Sequence, residues 1–128
     1  MSSNNKFMVY GPAGTLKRMP PALLDEYKPK YFYTYLTEDE KTRILVAVYE
    51  EYEKQINASI TLTCIIESTP KHNRFELIST GGRMGFRGSS LTDQKTIEQE
   101  VTDFILDFSK RYGLTVQEVN PEEQENES

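Results

Sequence analysis

From Ile97 to Tyr112 the apolar residues Val101, Phe104, Ile105 and Phe108 recur at steps of three and four, forming one stripe along one side of a helix. Lys95, Glu98, Glu100, Asp103, Asp107 and Lys110 take most of the remaining positions. Lys110 and Arg111 suit the negative end of the helix dipole, and Gly113 offers a left-handed residue to end it. A helix of roughly 20 residues with one such stripe is marginal alone in water, because its stability comes from whatever covers the stripe. The partner that covers the stripe must be a sheet.

The extended segments are legible by alternation. Between Asn57 and Glu67, Ile60, Leu62, Cys64 and Ile66 fall on one face, and Ser59, Thr61, Thr63 and Ile65 on the other. Arg43 to Tyr49 is apolar on both faces, the pattern of a strand covered on each side or nearly so. Phe75 to Thr80 runs into Gly81-Gly82, a dipeptide that takes positive φ at little cost and predicts a hairpin. Arg83 to Arg87 then alternates, with Met84 and Phe86 on one side and Arg83, Gly85 and Arg87 on the other. Segments 43–50, 57–67, 74–80 and 83–87 therefore predict an antiparallel meander. The fold class expected is α+β: a sheet of four to six strands with one long C-terminal helix packed on one face. Gly88 to Thr92, with Asp93, offers caps for its start.

Upstream, Phe7 to Tyr10 reads as a short strand, Gly11-Pro12-Ala13-Gly14 as a loop, and Pro20-Pro21 as the opening of a short helix over 22–27. Tyr31 to Leu36 reads as a strand with Tyr31, Tyr33 and Tyr35 on one side. Leu114, Val116 and Val119 add a short edge strand or tuck under the sheet. A single domain over 7–119 is expected, with disordered ends at 1–6 and 120–128.

Net charge is −5, and its distribution matters more than its size. Glu118, Glu122, Glu123, Glu125 and Glu127 form an acidic tail, and without them the acids equal the fifteen bases. A near-neutral body argues against a surface tuned throughout for nucleic acid. No apolar run is long enough to span a bilayer and the N-terminus lacks the apolar core of a signal peptide, so a cytoplasmic protein that avoids membranes is expected. The lone Cys64 rules out an internal disulfide.

Catalytic signatures are missing from the sequence. His72 is the only histidine and is expected in a polar loop over 68–73, between Lys71 and Arg74; Cys64 falls on an apolar strand face. Ser89 and Ser90 have no nucleophile-elbow context, and Gly11 to Gly14 lacks the Gly-Lys-Ser/Thr of a phosphate loop. No enzyme, metal or cofactor is expected. Two binding readings remain. Tyr31, Tyr33 and Tyr35 either pack a strand or present an aromatic partner surface. Lys71, Arg74, Arg83 and Arg87, with Gly82 and Gly85 leaving bare backbone, form a candidate anion-binding turn over 81–89. The leading expectation is a non-enzymatic domain acting through a protein partner or homo-oligomer. The alternative is an anionic ligand or RNA at the arginine turn.

The order of elements from Arg43 to Phe108 resembles a family of small uncharacterised bacterial proteins. The resemblance rests on Val48-Tyr49-Glu50, Asn57-Ala58-Ser59-Ile60-Thr61-Leu62, Ile78-Ser79-Thr80-Gly81-Gly82 and Gly85-Phe86. It implies an α+β arrangement of sheet and helix, and no activity.

Overall fold

The structure, a computed structural model, describes residues 2–53, 58–81 and 96–119. Six strands and two helices follow one another as β1 (Ser2–Tyr10), α1 (Ala13–Glu26), β2 (Tyr31–Leu36), β3 (Arg43–Glu53), β4 (Ala58–Ser68), β5 (His72–Gly81), α2 (Ile97–Tyr112) and β6 (Thr115–Val119). The strands form one sheet in the order β2-β3-β4-β5-β1-β6, with every neighbouring pair antiparallel. The expected α+β class holds, with two corrections. The helix after the sheet is 16 residues rather than long and terminal, because β6 follows it. A second helix, α1, precedes the sheet's outermost strand.

The expected meander holds over β3, β4 and β5, with β2 added ahead of β3, and then the chain order breaks. β1 lies beside β5, in register from Ser2 opposite Thr80 to Tyr10 opposite His72. It fills the place that a hairpin strand over 83–87 was expected to take; those residues lie outside the described ones. β1 begins at Ser2 rather than Phe7, because its polar first half is held by backbone pairing with β5 and not by apolar burial. On its other side β1 takes β6, so the short C-terminal segment is a strand at the second edge of the sheet.

One face of the sheet builds the core. Phe7 and Val9 of β1, Leu45, Ala47 and Tyr49 of β3, Leu62, Cys64 and Ile66 of β4, and Phe75 and Leu77 of β5 all point inward. Both helices cover them, α1 through Leu16, Met19 and Leu23 and α2 through Val101 and Ile105. Ile97, Phe104 and Phe108 of α2 pack at the margin, so the stripe read from the sequence is the buried one. The helix starts later than expected. Thr96 is its N-cap, accepting from the Gln99 amide at 3.2 Å while the Gln99 side chain accepts from the Thr96 amide at 3.0 Å. It ends at Gly113, whose φ of 71° suits a residue without a Cβ.

The helix α1 corrects the expected helix at 22–27, since it starts at Ala13 and runs through both prolines. Pro20 lacks the N–H that would bond the Leu16 carbonyl, and a buried side chain replaces it: Asn73 Nδ2 of β5 donates to that carbonyl at 2.9 Å. Ser68 donates in turn to Asn73 Oδ1 at 2.7 Å, completing the amide. Pro21 and Lys17 lie on the exposed side, where water can serve the second carbonyl. No helix among the described residues is long and apolar enough to cross a membrane.

Candidate interaction surface

Both helices lie on the inner face, and no described residue on the outer face is buried. The expectation that β3 is covered on each side is therefore overturned. Its outward residues Ile44, Val46 and Val48 are partly exposed, and opposite them stand Tyr35, Tyr33 and Tyr31 of β2. Val46 continues across to Ile65 of β4, so aromatic and β-branched side chains form one patch over three strands. It ends in charge at β5, where Glu76 lies opposite Ile65.

The edge strand β2 is the most exposed part of the patch. All six of its residues are exposed, on both faces, and Tyr31, Phe32, Tyr33, Tyr35 and Leu36 are each between 39% and 62% accessible. The three tyrosines named from the sequence thus stand together on the outer side. Phe32, Thr34 and Leu36 turn to the inner side, beyond the reach of the helices. There they line one wall of a groove of about 660 Å³, whose other wall is Ala13, Pro20, Pro21 and Leu24 of α1. Sequence reasoning missed Phe32 and Leu36 as surface residues, because alternation alone places them on the core side and does not reveal where the helices stop.

Among the described residues no strand lies beyond β2, and its outer edge is open in the hydrogen-bonding sense too. The Thr37 amide donates to Thr42 O at 2.9 Å, and the Lys30 amide to Val48 O at 2.8 Å beside Tyr31, which is itself opposite Val48. Antiparallel pairing alternates, so Tyr31, Tyr33 and Tyr35 turn their backbone groups to β3 while Phe32, Thr34 and Leu36 turn theirs to the open side. The strand carries no charge, proline or mid-strand bulge of the kind that blunts an edge. Two charged clusters flank it. Lys28 and Lys30 precede it, Lys30 pairing with Glu50 at 2.5 Å, and Glu38, Asp39 and Glu40 follow it. Asp39 fixes that second turn, accepting from Thr37 Oγ1 at 2.6 Å and the Lys41 amide at 3.0 Å; the Thr37 bond, then the amide, holds its carboxyl below the usual range.

The cationic set behaves differently. Lys71 is exposed in the β4–β5 turn, and Arg74 lies 3.9 Å from Glu67 on the outer face. Both stand near the start of β5, whereas Gly81 is at its far end, roughly 30 Å along an extended strand. Gly81 does take the expected positive φ, 95°, and a Cβ there would meet Ser59 O at 2.5 Å. Gly82, Arg83, Gly85 and Arg87 lie outside the described residues.

The remaining chemistry-bearing residues are tied into structure. His72 opens β5 instead of sitting in a loop, its ring edge-on to Tyr10 at 6.1 Å. Cys64 is fully buried, and burial pushes its thiol up to about 12, far from a nucleophile's range. Burial also raises Tyr49, with Cys64 a lesser cause, and its hydroxyl donates to Tyr27 O at 2.8 Å. Among the described residues no three His, Cys, Asp or Glu side chains are grouped to hold a metal. No protein-family model, curated protein or solved structure matches this chain.

Proposed function

We propose that this chain is a non-enzymatic cytoplasmic domain that works through protein contacts made at the edge strand β2 and the aromatic surface beside it. The observation that carries the reading is the coincidence, on one edge strand, of five exposed large hydrophobic residues and, on the side away from β3, a row of backbone donors and acceptors with no strand beside it among the described residues. Either feature alone is common at a protein surface; together they match what strand addition requires, backbone bonds for affinity and side chains on both faces for choice of partner. The anionic-ligand reading has weaker support, because Lys71 and Arg74 stand at the end of β5 away from Gly81.

A double substitution, Tyr33→Lys with Tyr35→Lys, tests this. Both side chains are exposed, so the thermal transition should stay within a few degrees of wild type while captured protein partners, including a second copy, are lost. Unchanged association, or a salt-sensitive association with RNA that the lysines strengthen, would overturn the reading.

A further inference from the structure

Resting on that reading, we propose that the partner of β2 is β2 of a second copy, paired antiparallel about a twofold axis at Thr34, so that two sheets become one. The backbone selects this register. The outward groups belong to Phe32, Thr34 and Leu36, and only a centre at Thr34 sets Thr34 against its own copy and Phe32 against Leu36 at both ends. All of those donors and acceptors are then used, whereas a shift by two residues leaves part of them unpaired.

The side chains agree with that register on both faces. Outside, Tyr33 of one copy meets Tyr35 of the other, which extends the tyrosine row across the axis. Inside, Phe32 and Leu36 of each copy meet and close the mouth of the groove against α1. Charge agrees as well. The lysine end of one strand, preceded by Lys28 and Lys30, comes to the end at which the other strand turns into Glu38, Asp39 and Glu40. A parallel arrangement would set lysines against lysines. The acids are held ready for this by the Asp39 bonds that fix their turn.

The opposite edge makes the choice of strand intelligible. β6 is five residues, carries Glu118, and is followed in sequence by Asn120-Pro121 and four more glutamates, which repel a second copy. The strands meet edge to edge and leave the outer face of the tyrosine row open, so at aromatic side-chain areas of about 150–250 Å² each the pairing covers only part of the five large residues, less than roughly 1,000 Å² over both copies. That is below the size of a standard specific interface, so the dimer should be weak and reversible, with a Kd on the order of 100 µM.

Sedimentation of the full chain from about 1 to about 500 µM should show the mass rising from 14.8 kDa toward twice that value. Thr34→Pro removes an outward N–H and nothing from the β3 ladder, so it should keep the native circular dichroism and stay at 14.8 kDa throughout. Thr34→Val, which loses only the hydroxyl that accepts from Arg43 at 3.0 Å, should dimerise as wild type does. Should Thr34→Pro fail to fold, Thr34→Cys decides. It should form a disulfide-linked dimer on mild oxidation, while Tyr31→Cys, roughly 20 Å from its copy in this register, should not. The buried Cys64 does not compete. A wild type that stays monomeric at 500 µM, or a dimer that Thr34→Pro leaves intact and Thr34→Cys does not link, overturns the proposal. If Tyr33→Lys with Tyr35→Lys still abolishes capture of a different protein, the broader reading of β2 survives that outcome.

Discussion

Asn73 shows how a single residue reconciles two elements that local rules set against each other. A proline at position 20 should break a helix, and an asparagine pointing inward from a strand should be expelled from the core; each supplies what the other lacks. Asn73→Leu should therefore cost about 1–3 kcal/mol in urea denaturation, since it leaves the Leu16 carbonyl and Ser68 without partners. Pro20→Ala restores a backbone donor, so it should recover part of that loss in the Asn73→Leu background. Strict additivity of the two changes would show that the bond is incidental. Nothing local marked the pair: Asn73 and His72 read as the end of a polar turn, and only the inward parity of 73, 75 and 77 betrays the strand. Cys64 makes a second prediction at this scale. Its thiol is raised from an ordinary 9.0 to about 12, so the unfolded chain loses a proton above pH 9 that the folded chain keeps. Stability is intact below pH 9 and should fall as pH climbs toward 12, by at most about 1.4 kcal/mol per unit from this group. Denaturation curves between pH 8 and pH 11 should flatten in Cys64→Ala; an unchanged slope would assign the effect to other groups.

Among the elements, legibility followed how much of each one's stability is written in its own side chains. The α2 stripe and its glycine stop were readable because both are local chemistry. Its start was readable as well, in the Thr96-x-x-Gln99 capping box, yet the Ser/Thr/Asp run upstream offered competing caps. The spacing of Leu16, Met19, Pro20 and Leu23 is helical, but two prolines inside it mimic a first turn, and α1 was read too short. β1 lies at the other extreme: its first five residues carry no strand signal and are ordered by the backbones of β5. The tyrosines of β2 were assigned correctly to one face. The emptiness of the other face was not visible, because it depends on how far α1 and α2 extend over the sheet, which no pattern within Tyr31–Leu36 encodes.

At the scale of the molecule, alternation and turn spacing determine the run from β2 to β5, since each strand is a hairpin away from the next. The insertion of β1 between β5 and β6 joins segments about 70 and 110 positions apart, and pairing over such distances leaves no local trace. It also means that the core is not complete without the first ten residues, which deliver Phe7 and Val9 to its middle. Removing residues 2–10 should abolish the cooperative thermal transition seen by circular dichroism: burial worth about 2–3 kcal/mol per side chain disappears together with two ladders, against a usual total of about 5–15. A shortened chain that still melts in one step would show that β5 and β6 can close on each other directly.

Position in the sheet also fixes an order of events in synthesis. β1 is translated before both of its neighbours, and it has no seat until β5 and then β6 have been made. A nascent copy stalled after β5 and before β6 offers two raw edges, β1 and β2, to whatever is nearby. The arrival of β6 covers the bare side of β1, and from then on β2 is the edge that stays available for association.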